Sequence, residues 1–247
     1  MEIGFWIIIV FLLLYEPIIG YFHFQKFKKY VVVNENERIK YYTNTIIGLW
    51  VPTAFILLLV GITDLTLKQI GLVIPKLNTE VLGSWLTYIG LGIGLLYLIL
   101  VLYYIIGYKF SDKIKQELLK KKEEELEKSE VSPIFPITKK EKKLWTYVSL
   151  TAGVTEEIIY RGFLIFAVGY LFPNLQIMIV VLISSVLFGL AHSYQGFTMG
   201  VLRTTIFGIL FSVLYISLGS IIPLILFHFL LDYIAKFGED TLSERSI

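Results

Sequence analysis

Seven apolar runs, at 3–22, 42–62, 85–108, 144–170, 176–192, 199–217 and 219–236, constrain this chain more than any other feature of it. A bilayer's hydrocarbon core is about 30 Å thick and takes about 20 apolar residues of helix to cross. Within it every backbone N–H and C=O must be satisfied inside the protein, so such runs are expected to be membrane-spanning helices. Seven of them occupy about 140 positions of the 247, which excludes a large extramembrane enzyme on a single anchor. Composition agrees, since 56% hydrophobic residues against 17% charged and a mean hydropathy of +0.73 do not describe a water-soluble core. The expected fold class is all-α, a polytopic membrane helical bundle of about seven transmembrane helices, in a single membrane domain over 1–247.

The first run opens Met1-Glu2 with neither a basic start nor a small-residue cleavage site, and reads as a retained span, not a signal peptide. Charge sets the expected orientation. Lys and Arg number five in 23–41, two in 63–84, eleven in 109–143 and none in 171–175 or 193–198, with Lys236 and Arg245 near the end. The two rich loops fall on one side, which the positive-inside rule makes cytoplasmic, with the N-terminus outside and the C-terminus inside. The expected location is the cell membrane, and the Lys- and Ile-rich composition and short length look prokaryotic. A formal net charge of +2 is too balanced to suggest nucleic acid as a partner. The absence of Cys excludes disulfides, thiolate nucleophiles and Cys metal ligands.

Between Asp112 and Glu130, acids and bases recur at helical spacing, as in Lys113 with Glu117, Glu117 with Lys121 and Glu124 with Lys128. This stretch is expected to continue the third span into the cytosol as a solvated helix. Ser132-Pro133 and Phe135-Pro136 should then break it before Lys139, Lys140, Lys142 and Lys143 anchor the fourth span at the interface. The chain thus divides into accessory spans (1–110), a charged cytoplasmic segment (111–143) and a catalytic four-helix core (144–236).

That core holds ionisable residues where lipid should be. The fourth run contains Glu156, Glu157 and Arg161, and the seventh contains His228 and Asp232. Each intramembrane charge costs roughly 2.5–3.5 kcal/mol on insertion scales, so the four charged groups represent on the order of 10 kcal/mol to be offset. Glu157 and Arg161, four apart, share a helix face and are expected to pair. Glu156 points about 100° away and is left to face a cavity as a general base. His192 ends the fifth run after Gly189 and Ala191, small residues that admit close approach by another helix or a substrate backbone. His228 and Asp232 lie one turn apart and address one point. An imidazole N–H there can stabilise an oxyanion, whereas Asp232 does so only when protonated and otherwise orients His228 or accepts a proton. By helical rise His192 sits shallower than Glu156 and His228, a gap that a tilt or a dipping helix must close. His23 and Glu16, the latter beside Pro17, are expected at the inner interface, with cavity lining as the alternative for Glu16. Arg203 is expected to snorkel to headgroups.

Glu156-Glu157-x-x-x-Arg161, Phe188-x-x-x-His192 and His228-x-x-x-Asp232, each on a separate late span, resemble the CAAX prenyl protease and bacteriocin-processing (CPBP) family of intramembrane glutamic endopeptidases. Gly219-Ser220-Ile221-Ile222-Pro223 looks like that family's approach to its last motif, and the similarity covers roughly 144–236. The resemblance implies a helical bundle around a cavity open to the cytosol and hydrolysis of a peptide bond in a membrane-associated peptide or protein. It further implies that Glu156 and His192 activate a water, that His228 and Asp232 stabilise the oxyanion, and that Glu157 and Arg161 support them. No cofactor is expected. Three other readings stand beside it. Glu156, His192 and His228 are ligand types for a zinc protease, although His-Glu-x-x-His is absent. A non-catalytic immunity or peptide-binding membrane protein is the second, and a transporter, without a visible inverted repeat, the third.

Overall fold

The computed structural model describes residues 1–34, 36–128 and 131–237 and is helical throughout its regular structure. In chain order the α-helices are α1 (Glu2–Leu14), α2 (Tyr21–Tyr30), α3 (Asn36–Ile62), α4 (Gly83–Phe110), α5 (Asp112–Lys128), α6 (Lys139–Glu156), α7 (Ile165–Leu171), α8 (Ile177–Ala191), α9 (Arg203–Leu218) and α10 (Ile222–Tyr233). π-helical turns at Tyr15–Gly20, Glu157–Leu164 and Phe197–Leu202 join α1 to α2, α6 to α7 and lead into α9. Arg245 and the side chain of Lys128 lie outside the described residues.

All seven expected runs are helical, and among the described residues four helices are long and apolar enough to cross a membrane: Glu2–Tyr30, Asn36–Ile62, Gly83–Phe110 and Phe197–Leu218. The remaining runs fall short for physical reasons. α8 has 15 residues and α10 has 12, which at a rise of about 1.5 Å reach only about 22 and 18 Å of a core of about 30 Å. The run from α6 through α7 is long, but Glu156, Glu157 and Arg161 interrupt its apolar character. The all-α membrane bundle stands, with four full-length apolar helices among the described residues.

The charged segment departs from expectation. α5 does not continue α4, because Ser111 adopts an extended conformation (φ −143°, ψ 114°) and turns the chain back. α5 packs on the end it has just left: Gly107 has no side chain to block Ile114, and Tyr104 donates to Glu117 at 2.9 Å and receives Lys121 Nζ. The Lys121 ammonium, 2.9 Å away, and the Tyr104 hydroxyl hold the Glu117 carboxyl below its ordinary range.

The entry to α6 is fastened more firmly than a row of interfacial lysines requires. Thr138 and Glu141 form a capping box, with Glu141 N–H donating to Thr138 Oγ1 at 3.2 Å and Glu141 Oε2 accepting from the Thr138 and Ile137 amides at 2.8 Å each. Arg38 of α3 reaches across to Glu141 Oε1 at 3.0 Å and to Pro133 O at 2.9 Å, and Tyr42 donates to Ile134 O. Burial alone would raise the Glu141 carboxyl, but the two amides and Arg38 outweigh it and hold it below 4.5.

At the opposite end of the bundle, the connection 63–82 forms a strap with backbone hydrogen bonds into the α9–α10 turn. Lys76 and Asn78 N–H donate to Leu218 and Ser217 O at 2.8 Å each, and Ile221 N–H donates to Gly71 O at 2.9 Å. Ser220 Oγ donates to Val73 O at 2.5 Å, and Gly219, at φ +59°, makes the left-handed turn that aims Ser220 there. The strap's own Leu65 and Ile70 are fully buried with Phe163, Leu164 and Ile159, which ties it into the main apolar core.

Candidate active site

Close helix contact builds the site. α6 packs against both α3 and α10, and its Gly153 lies so near α10 that a Cβ there would stand 2.9 Å from Ile225 O and 3.0 Å from Phe229 N. Backbones this close bring the residues one turn further on into contact. Glu156 and Glu157 therefore meet His228, an association between two helices that sequence spacing alone does not dictate.

Glu157 is fully buried and its Oε1 serves two partners, Arg161 at 2.9 Å and His228 Nδ1 at 2.7 Å. The expected pairing of Glu157 with Arg161 is present, and it persists although the segment is π-helical. A carboxylate oxygen only accepts, so Nδ1 is the protonated nitrogen of His228 and Nε2 is the face turned to the site. Nε2 lies 3.7 Å from both Glu156 Oε2 and Asp232 Oδ2, too far for direct hydrogen bonds. Glu156 Oε2 is buried without a hydrogen-bond partner among the described residues. Arg161, 1% exposed, lies over the ring of Phe188 at 4.2 Å and of Phe211 at 5.2 Å. The guanidinium thus receives charge balance from Glu157 and cation–π contact on its faces.

His192 closes α8 as its C-cap residue, with Nδ1 2.8 Å from Phe188 O. α8 ends at Ala191, and the π turn at Phe197–Leu202 then carries the chain back into α9. Gly189 and Gly200 allow this reversal: a Cβ on Gly189 would meet Val201 O at 2.6 Å, and one on Gly200 would overlap His192 O. The fifth run's small residues therefore admit a helix. Ser184 fixes the other side of α8 by donating to Tyr160 O at 2.6 Å.

A cavity of about 120 Å³ opens beside these groups, and Glu156 and His192 share its wall with Glu16, Tyr160, Tyr194, Tyr41 and Asn44. His228 and Asp232 are not part of that lining. They lie on the other flank of Glu156, where the Asp232 side chain is 37% exposed, and Phe188 separates His228 from His192 with ring centroids 6.2 and 4.8 Å away. Glu156 thus faces both sides, lining the cavity and lying 3.7 Å from His228 Nε2. Among the described residues no three His, Asp or Glu side chains gather at metal-ligand spacing. Arg203 is exposed.

Sequence reasoning expected Glu16 and His23 at the inner interface, with cavity lining as the alternative for Glu16. Both line the cavity, and His23 stacks on Tyr41 with centroids 5.2 Å apart. The signal for Glu16 was the neighbouring Pro17, which lacks an N–H and sits in the π turn Tyr15–Gly20 that reorients the carboxylate.

Residues 141–234 match the family model described as Type II CAAX prenyl endopeptidase Rce1-like. No curated protein and no solved structure matches the chain. The matched stretch begins at Glu141 of the capping box and ends just past Asp232, so it holds all three motifs and the α6–α10 contact that joins two of them. Over this stretch the chain is similar to the type II CAAX prenyl endopeptidase Rce1-like family, and its apolar helices make it a membrane protein.

Proposed function

We propose that the chain is an intramembrane endopeptidase that hydrolyses a peptide bond of a membrane-associated peptide or protein by direct attack of water, with Glu156 as general base. The observation that carries this reading is the Glu156 carboxylate, 8% exposed, with Oε2 unpartnered, on the wall of a cavity shared with His192 and 3.7 Å from His228 Nε2. A water held between Glu156 and His192 gives a proton to Glu156 as its oxygen bonds to the scissile carbonyl carbon. His228, already donating from Nδ1 to Glu157, donates to the developing oxyanion from Nε2 as an imidazolium balanced by that carboxylate. Glu156 then returns its proton to the amide nitrogen as the C–N bond breaks, leaving a carboxyl and an amine product. Asp232, 3.7 Å from Nε2, orients the imidazolium. Glu157 and Arg161 hold His228 in this attitude.

The test compares wild type with Glu156→Gln by proteomics of C-terminal and membrane-derived peptides, with purified protein assayed before and after chelation. Wild type alone should generate new termini, and chelation should leave the rate unchanged. Identical peptide profiles would overturn proteolysis, whereas activity lost on chelation and restored by zinc would replace the water-and-carboxylate mechanism with a metal-centred one.

A further inference from the structure

We propose that Glu16 is the acidic wall of a subsite that selects substrates carrying a lysine or arginine side chain near the scissile bond. The proposal rests on the proteolytic reading above and assigns it a substrate class. Glu16 belongs to the π turn Tyr15–Gly20 in the first membrane helix, remote in sequence from the three motifs, yet it lines the same cavity as Glu156 and His192. Among the described residues its carboxylate has no hydrogen-bond or ion-pair partner, and Glu156 Oε2 on the same wall has no hydrogen bond, its one charged neighbour being His228 Nε2 at 3.7 Å. The cavity is built to keep the Glu16 carboxylate where it is. Gly20 leaves it room, since a Cβ there would stand 3.0 Å from Glu16 Oε2, and Gly48 leaves room for the Tyr15 hydroxyl, 3.3 Å from the equivalent position.

The rest of the lining supplies what a bound cation needs. Tyr15, Tyr41, Tyr160 and Tyr194 offer ring faces and hydroxyl acceptors, Asn44 adds an amide, and no lysine or arginine lines the wall. A long basic side chain lays its methylenes along the rings and delivers its charge to Glu16, whereas an acidic side chain meets two carboxylates and no permanent cation. Because Glu156 is on the same wall, a side chain seated against Glu16 also fixes the backbone beside the attacking water.

The test uses the full-length protein in detergent with acetylated, amidated apolar peptides in which a single Lys is moved along the sequence, each paired with its norleucine counterpart. The readouts are the Lys-to-norleucine ratio of kcat/KM, and binding of the same peptides to Glu156→Gln protein with and without Glu16→Gln. We expect the best Lys position to be favoured by about tenfold or more, as for a hydrogen bond between charged groups away from water. The ratio should fall toward one in Glu16→Gln and invert in Glu16→Lys, which should favour a Glu peptide. A ratio unchanged by Glu16→Gln, or no Lys position favoured in either readout, overturns the subsite. Absence of cleavage in wild type with Lys-dependent binding that requires Glu16 upholds the subsite and overturns only the proteolytic reading.

Discussion

Replacing Gly153 with Ala tests whether the α6–α10 contact positions the chemistry. The new Cβ would lie 2.9 Å from Ile225 O and 3.0 Å from Phe229 N, backbone atoms that have no rotamer by which to retreat. Unstrained packing needs about 3.5 Å, so the helices must part locally by about 0.5 Å. Glu156 rides on one helix and His228 on the other, and their 3.7 Å separation widens with the helices. Displacements approaching 1 Å at a reacting centre cost about 100-fold, so we expect kcat/KM to fall about 10- to 100-fold, with overpacking lowering stability by about 1–3 kcal/mol. Gly169→Ala in α7 is the control, because a Cβ there has nothing within 4 Å, and helix propensity alone would stabilise it by up to about 1 kcal/mol. Peptide cleavage and thermal unfolding in the same detergent measure both variants. Full activity in Gly153→Ala at unchanged KM would refute the claim that this crossing sets the site.

Two further outcomes test the polar supports. Glu157→Gln leaves Arg161, 1% exposed, without its carboxylate, and should destabilise the protein by about 3–5 kcal/mol; a melting temperature within a degree of wild type would remove Glu157 from its supporting role. Glu141 is held below its ordinary 4.5 by two amides and Arg38 despite burial, so its contribution is complete above that value and is lost as pH falls through the folded-state value. The stability gap between wild type and Glu141→Gln, about 1.5–3 kcal/mol at pH 7, should close on titration toward pH 3, and a gap independent of pH would contradict the Arg38–Glu141 assignment.

The sequence made the intrahelical relations legible and left the interhelical ones open. Glu157 pairs with Arg161, as expected from their spacing. That the same oxygen also takes His228 depends on Gly153, whose role is visible only when α10 is laid against it. The run 176–192 did give α8 and its end at His192, but not the reversal at Gly189 and Gly200 that folds the following turn back against it. Hydrophobic periodicity carries no mark of π turns, so the sequence left Glu16 between interface and cavity, with Pro17 as its one local signal. The turn at Ser111 was hidden by salt-bridge spacing that suits a helix in any direction. Thr138-Lys139-Lys140-Glu141 did carry a capping-box signature, overshadowed by the lysines between its ends.

The strap over 63–82 grips the α9–α10 turn largely through main-chain amides and carbonyls. Such a fastening is blind to side-chain identity, so mutational drift is tolerated at Lys76 and Asn78 provided the backbone path and the glycines at 71 and 219 are kept. Diversification among descendants of this chain should therefore accumulate on the strap's outer face before it reaches the turn underneath.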